Sequence, residues 1–276
     1  MQSSYTPTIL SIAGSDPYGG AGIQADIKTI HANGGYAFSV STALTAQNSQ
    51  GVWAVNIVDA SILKSQIEAI LDDIEINSIK IGMLGSREIV QVVIDSIRKY
   101  KLKNIVLDTV IVSSSGKRLL DNEALDIFIS QLVPMVDIIT PNLLEINTLT
   151  NNRFNGVKQE IELMSQSLFK IGAKSALIKG GHFQNRNQSI DILIKPNYTN
   201  EIFSSPRIDT THTHGTGCIL SSAIATHLAQ NKDLTMSIKL AKDYLTKSLK
   251  LSDKLKFRYK YDNLSRTEPI YHFPYP

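Results

Sequence analysis

Cysteine is nearly missing from this chain. One thiol, Cys218, in 276 residues rules out an intrachain disulfide and fits a reducing compartment, so a cytoplasmic location is expected. No uncharged apolar run approaches the roughly 20 residues that a membrane helix needs, and Met1 to Thr6 is polar where an export signal would be basic and then apolar. A strong surplus of one charge is missing too. With 28 Lys and Arg against 25 Asp and Glu, the net charge of +3 suits an anionic small molecule and is too weak to argue for nucleic acid. There is no GxxxxGK[ST] phosphate loop, no HExxH, no paired-cysteine metal site and no GxSxG elbow. The six histidines are scattered; only His212 and His214 lie close, and two ligands make a poor metal site.

At 42% hydrophobic the chain can bury a large core. Short apolar runs alternate with helical patterns almost from end to end. Strands are expected at Thr8–Ala13, Phe38–Ala43, Val52–Val58, Ser78–Met83, Asn104–Asp108, Asp137–Thr140, Ser175–Lys179 and Ile190–Ile194. Helical periodicity fills Ser61–Ile74, Glu88–Lys99, Glu123–Val133, Val157–Ile171, Gly217–Gln230 and Leu234–Leu251. A further helix follows Gly19-Gly20-Ala21-Gly22, with Ile23, Ile27 and Ile30 as its apolar stripe. This alternation predicts an α/β fold, a mostly parallel central sheet with helices on both faces, in one domain without linker or repeat. Ligands then belong beyond the carboxyl ends of the strands. The alternating run Lys254 to Tyr261 reads as a strand with one wet face or plain surface, with a basic–aromatic nucleic-acid contact as the less favoured alternative.

Several segments could carry chemistry. Thr213-His214-Gly215-Thr216-Gly217-Cys218 opens an apolar helix; its small residues, free amides and helix dipole favour an anion such as phosphate. Cys218 there is either an easily ionised thiol or a small buried filler. Asp26 falls on the apolar stripe of its helix, where a carboxylate needs a partner: a neighbouring cation or backbone, or a ligand. Asn142 and Glu145 have the spacing of a capping box, and Glu145 at a strand end could equally order magnesium through water. Lys179, before Gly180-Gly181-His182, could reach a phosphate or be an ordinary surface lysine. Gln47 and Met83 could read the edge and face of a polar heterocycle, or be turn and core. Phosphoryl transfer is the reaction these loops suggest, with little to name the acceptor.

At these residues the sequence resembles the bacterial hydroxymethylpyrimidine and phosphomethylpyrimidine kinases of thiamine biosynthesis, within the ribokinase superfamily. IAGSDPYGGAGIQADIKT, TALTAQN, KIGML, VLDTV, ITPNLLE, LIKGGH and THGTGC occur in family order from about Thr8 to His272. The resemblance implies a ribokinase-like fold and ATP-dependent phosphorylation of 4-amino-5-hydroxymethyl-2-methylpyrimidine and then of its monophosphate. It implies that Gly14, Asp26, Gln47 and Met83 hold the aminopyrimidine, with Asp26 and Gln47 bonding its ring nitrogen and amino group. It places Lys179 and Thr216 at ATP, Glu145 on Mg2+ through water, and Gly215, Gly217 and Cys218 at the anion hole and catalytic thiol. A homodimer is implied in the same way. Tyr18 departs from the usual serine and Ser114 from the usual lysine, which bears on substrate preference and rate. A cysteine-type pyridoxal kinase of the same fold is the alternative function, and a non-catalytic nucleotide-binding regulator the alternative class.

Overall fold

The computed structural model describes residues 5–113, 116, 118–180, 187–197, 199–260 and 266–273. Ser114, Gly181, His182 and Tyr261 lie outside the described residues. The strands are β1 (Thr8–Ser15), β2 (Tyr36–Asn48), β3 (Gly51–Ile57), β4 (Ser78–Ile81), β5 (Ile105–Leu107), β6 (Ile138–Ile139), β7 (Ala176–Gly180), β8 (Gln188–Ile194) and β9 (Glu201–Pro206). The helices are α1 (Gly22–Ala32), α2 (Ala60–Leu71), α3 (Arg87–Tyr100), α4 (Asn122–Ile127), α5 (Leu143–Thr150), α6 (Ile161–Lys170), α7 (Thr216–Ala229) and α8 (Leu234–Leu251). One nine-stranded sheet runs in the order β3-β2-β1-β4-β5-β6-β7-β8-β9. Its six central strands are parallel, and β3, β8 and β9 add antiparallel edges.

Alternation along the central strands divides the core. Leu10, Ile12, Ile79, Ile81, Ile105 and Leu107 face α2 to α6, whereas Ile9, Val106, Ile138 and Leu177 face α1, α7 and α8. The order reverses at β1, whose successor in the chain lies to one side and β4 to the other. Such a switch point opens a crevice at the carboxyl ends of the strands.

Three points differ from the sequence reading, and a fourth is decided. The buried face of α1 is Ala25, Asp26, Thr29 and Ile30, while Ile27 is exposed, so the apolar stripe is narrower than its isoleucines suggest. β2 runs on through Asn48 and pairs with β3, so Ala46 to Asn48 is hairpin rather than turn. β9 lacks a counterpart in the sequence reading; as an edge strand it alternates half-buried with exposed residues. The segment 255–260 takes the plain-surface form, one of the two expected for it, and joins no sheet. It is surface chain tied down by rings: the Tyr259 and Tyr18 hydroxyls are 2.9 Å apart, and Phe257 packs at 6.4 Å from the Tyr18 ring.

Candidate active site

A cavity of about 920 Å³ occupies the crevice, lined from the ends of β1, β4, β5 and β7 and from the start of α7. Gly215 caps α7 with φ +88°, a left-handed value that suits glycine, and a Cβ there would run into the Gly20 carbonyl oxygen. Of the first-turn amides of α7, that of Thr216 reaches the Thr213 carbonyl at 3.4 Å, while those of Gly217 and Cys218 have no preceding helical turn to bond, so with the helix dipole they present an anion-binding end to the cavity. Gly217 is hemmed in: a Cβ would lie 3.2 Å from Asp108 Oδ2 and 3.4 Å from Lys179 Nζ. Lys179 Nζ donates to Asp108 Oδ1 at 2.9 Å and stands 3.7 Å from Glu145 Oε2. Glu145 forms the expected capping box with Asn142, its Oε2 accepting the Asn142 N–H at 2.8 Å and the Thr109 hydroxyl at 2.9 Å. Capping uses only Oε2, so the cap and a ligand role are compatible. Burial raises the Glu145 pKa against the pull of Lys179. Burial acts on Asp108 in the same sense, but Lys179 and Lys80 prevail and hold it below the ordinary carboxylate value.

At the other end of the cavity, Gly14 leaves room for Met83, whose sulfur would lie 3.1 Å from a Cβ on Gly14. Gln47 projects from the β2–β3 hairpin, its amide 3.2 Å from His214 Nε2 and 3.4 Å from Thr45 Oγ1. His214 Nε2 is 2.8 Å from Asp16 Oδ2, and Asp16 accepts the backbone N–H groups of Tyr18, Gly20 and Ala21, fixing the turn into α1. The structure therefore brings together Gly14, Gln47, Met83, Glu145, Lys179, Gly215, Thr216, Gly217 and Cys218 around one cavity.

A family model for phosphomethylpyrimidine kinase matches residues 16–264. The hydroxymethylpyrimidine/phosphomethylpyrimidine kinase of Rhizobium meliloti is 38% identical over 97% of this chain and 97% of its own length. The chain belongs to the phosphomethylpyrimidine kinase family. The kinase of that name from Escherichia coli is 39% identical over 96% of both chains. Among solved structures, the phosphomethylpyrimidine kinase of Clostridium difficile is 39% identical, with a TM-score of 0.77 over 88% of this chain and 99% of that one. The pyridoxal kinase of Bacillus subtilis, in its ADP complex, is 29% identical with a TM-score of 0.84 over 97% and 98%. The ribokinase-like fold expected from the sequence is thereby established.

Within this phosphomethylpyrimidine kinase, Asp26, expected at the pyrimidine, is not among the residues lining the cavity. It is fully buried, and its carboxylate accepts Lys80 Nζ at 2.8 Å on both oxygens, Ser11 at 2.6 Å and Ser222 at 2.7 Å. Ser11 and Lys80 point toward α1 because their neighbours Leu10, Ile12, Ile79 and Ile81 point the other way. Of the two partners open to a carboxylate on an apolar stripe, the cation is the one present. Cys218 is half-buried at the cavity wall, and burial pushes its thiol up to about 11, with Lys80 pulling down less than burial, Asp26 and Asp108 push up. Burial therefore works against ionisation of this thiol, and Lys80 offsets it only in part. Lys80, Asp108, Asp16 and His214 are the groups that the sequence reading left without roles. KIGML and VLDTV already carried two of them, each at a strand position that alone reads as core or turn.

Proposed function

We propose that this chain, a hydroxymethylpyrimidine/phosphomethylpyrimidine kinase of thiamine biosynthesis that uses ATP, carries out its transfer at the start of α7. The observation that carries the reading is the convergence of Lys179, Asp108 and the Gly217 backbone within contact of one another. The pyrimidine sits against the wall formed by Gly14 and Met83, with its edge on Gln47. Its hydroxymethyl oxygen attacks the γ-phosphorus in line; the bond to the bridging oxygen of ADP breaks, and charge spreads over the transferred group. Lys179 and the amides of Gly215 to Cys218 meet that charge, and Thr216 contributes at the ATP phosphates. Cys218 orients the alcohol as a neutral thiol. It need not take the proton, because a loose transition state lets the proton leave late, to an oxygen of the transferred phosphoryl group.

Magnesium fits the donors present. Glu145 Oε1 and Asp108 Oδ2 are hard oxygens left over from the cap and from the Lys179 pair, and among the described residues no group of three His, Cys, Asp or Glu could enclose a metal. A cation held through water by one or two carboxylates and by ATP suits that arrangement. When bound it would neutralise phosphate charge; Glu145 and Asp108 would orient its waters. The same reading includes a homodimer, supported by Leu44 and Trp53 exposed on the β2–β3 hairpin, and a cytosolic enzyme working as one domain.

Gln47 on the β2–β3 hairpin and Met83 after β4 favour a pyrimidine through their resemblance to the family. The fold similarity to a pyridoxal kinase gives the second reading, in which a pyridine alcohol also enters. Steady-state kinetics with both alcohols test this, together with Lys179→Met. The expected result is a kcat/KM for the pyrimidine at least a hundredfold above that for pyridoxal, and a kcat for Lys179→Met lowered on the order of a hundredfold or more. An active Lys179→Met enzyme would refute the placement of the phosphate.

A further inference from the structure

A glutamine can read a heterocycle in two ways, because a half-turn of its amide exchanges donor for acceptor without changing its shape. At Gln47 the neighbours decide between them. Asp16 Oδ2 accepts the Gly20 and Ala21 N–H groups at 3.0 and 2.8 Å, and Oδ1 accepts that of Tyr18 at 2.9 Å. Burial works to raise its pKa, yet His214 and these amides hold it below the ordinary value. Asp16 is therefore an ionised, acceptor-only group, and His214 Nε2 at 2.8 Å must carry its hydrogen toward it. The end of the Gln47 amide 3.2 Å from the same Nε2 cannot then be a second donor. Thr45 gives the opposite amide end the matching instruction. Its one hydroxyl hydrogen goes to the Ser15 carbonyl at 2.8 Å, so whatever Gln47 places 3.4 Å from Oγ1 must donate to it. Two independent neighbours require the same half-turn: oxygen toward His214, NH2 toward Thr45.

We propose that His214, braced by Asp16, is a positioning residue that with Thr45 locks the Gln47 amide, so that Gln47 offers the cavity a donor N–H for a ring-nitrogen acceptor. The proposal rests on Gln47 being the reader of the pyrimidine. The ring of His214 is confined: a Cβ on Gly20 would lie 2.3 Å from its Cδ2, and the Tyr18 ring stands 5.9 Å away on the same turn. Tyr18, unusual for the family, thus walls in the residue that sets the amide. The device specifies acceptor chemistry and leaves the ATP end alone.

The test uses the full-length enzyme as His214→Phe, Thr45→Val and Gln47→Ala. KM and kcat are measured for both substrates, and for pyrimidine analogues in which each ring nitrogen in turn becomes C–H. His214→Phe keeps a ring under Gly20 but loses the N–H. It should raise the pyrimidine KM on the order of tenfold, as the loss of one buried hydrogen bond would, and leave the ATP KM within about twofold. Thr45→Val should act in the same direction, and in both variants the preference for the pyrimidine over one of the analogues should shrink. An unchanged pyrimidine KM or an unchanged analogue preference in His214→Phe overturns the lock. If that variant does not fold, the same outcomes in Thr45→Val decide. Gln47→Ala separates the two ideas. A normal pyrimidine KM there refutes Gln47 as reader. A raised one beside normal His214→Phe and Thr45→Val enzymes refutes the lock alone.

Discussion

Replacing Lys80 by methionine strands a buried charge in the interior. The lysine is fully buried and supplies two of the four hydrogen bonds on Asp26, leaving Ser11 and Ser222 to hold an anion away from water. Removing one partner of such a pair costs about 3–5 kcal/mol, a large part of the total stability of an ordinary domain. For a chain of this size that corresponds to a melting temperature roughly 6–15 °C lower. The neighbouring carboxylates hold the lysine pKa well above its ordinary value, outweighing burial. Its contribution is therefore complete below the unfolded pKa of about 10.4 and lost only as pH rises through the higher folded value. Urea unfolding at pH 7 and pH 9 should accordingly show the same deficit. Lys80→Met with Asp26→Leu removes both charges and should recover at least half of it, because an apolar pair avoids the desolvation penalty. Since Asp26 is spent inside the protein, Asp26→Asn should move the KM values of both substrates together and modestly. A single variant within about 1 kcal/mol of the parent, or a rise confined to the pyrimidine KM of Asp26→Asn, would refute this account.

Iodoacetamide should modify Cys218 slowly at neutral pH, with a rate that keeps climbing toward pH 11 instead of levelling near the free-thiol value of about 8.5; a plateau below pH 9 would contradict the desolvated thiol. Cys218→Ser should then retain most of its activity over the neutral range, read as kcat against pH. Glu145→Gln keeps an acceptor for the Asn142 cap, so its melting temperature should stay within a few degrees while the magnesium needed for half-maximal rate rises severalfold. An unchanged magnesium titration leaves Glu145 as a cap alone. Lys242→Met, which strands the buried Asp191 on β8, should lower stability by about 3–5 kcal/mol in urea unfolding; Asp191 also accepts the Gly180 N–H at 2.9 Å.

Much of this was legible in the sequence because strands buried on both faces and helices with one apolar face leave different periods. The joint order of seven motifs carried the family. Single residues were harder. Asp26 announced that it needed a partner, but Lys80 lies 54 positions away, and Ile79-Lys80-Ile81 reads as a strand with one wet face. Only α7, bringing Ser222 over that face, turns it into an interior. The Lys254 to Lys260 run alternates like a strand yet pairs with none, because alternation marks one wet face and does not by itself supply a partner strand. For the thiol of Cys218, the helix-end position was visible in sequence and the desolvation that pushes its pKa up was not.

Helix α7 carries buried residues on every side along Ile219 to Thr226, packed between α1 and α8 and over the sheet. A helix with no wet face has no inexpensive local opening, so its amides from Leu220 onward should exchange with deuterium only when the whole molecule unfolds. The same rigidity means that the phosphate-facing end cannot travel to meet its ligand. Whatever closure the reaction needs must come from the exposed β2–β3 hairpin and the loops across the crevice, and the anion-binding amides serve as the fixed stator against which those parts move.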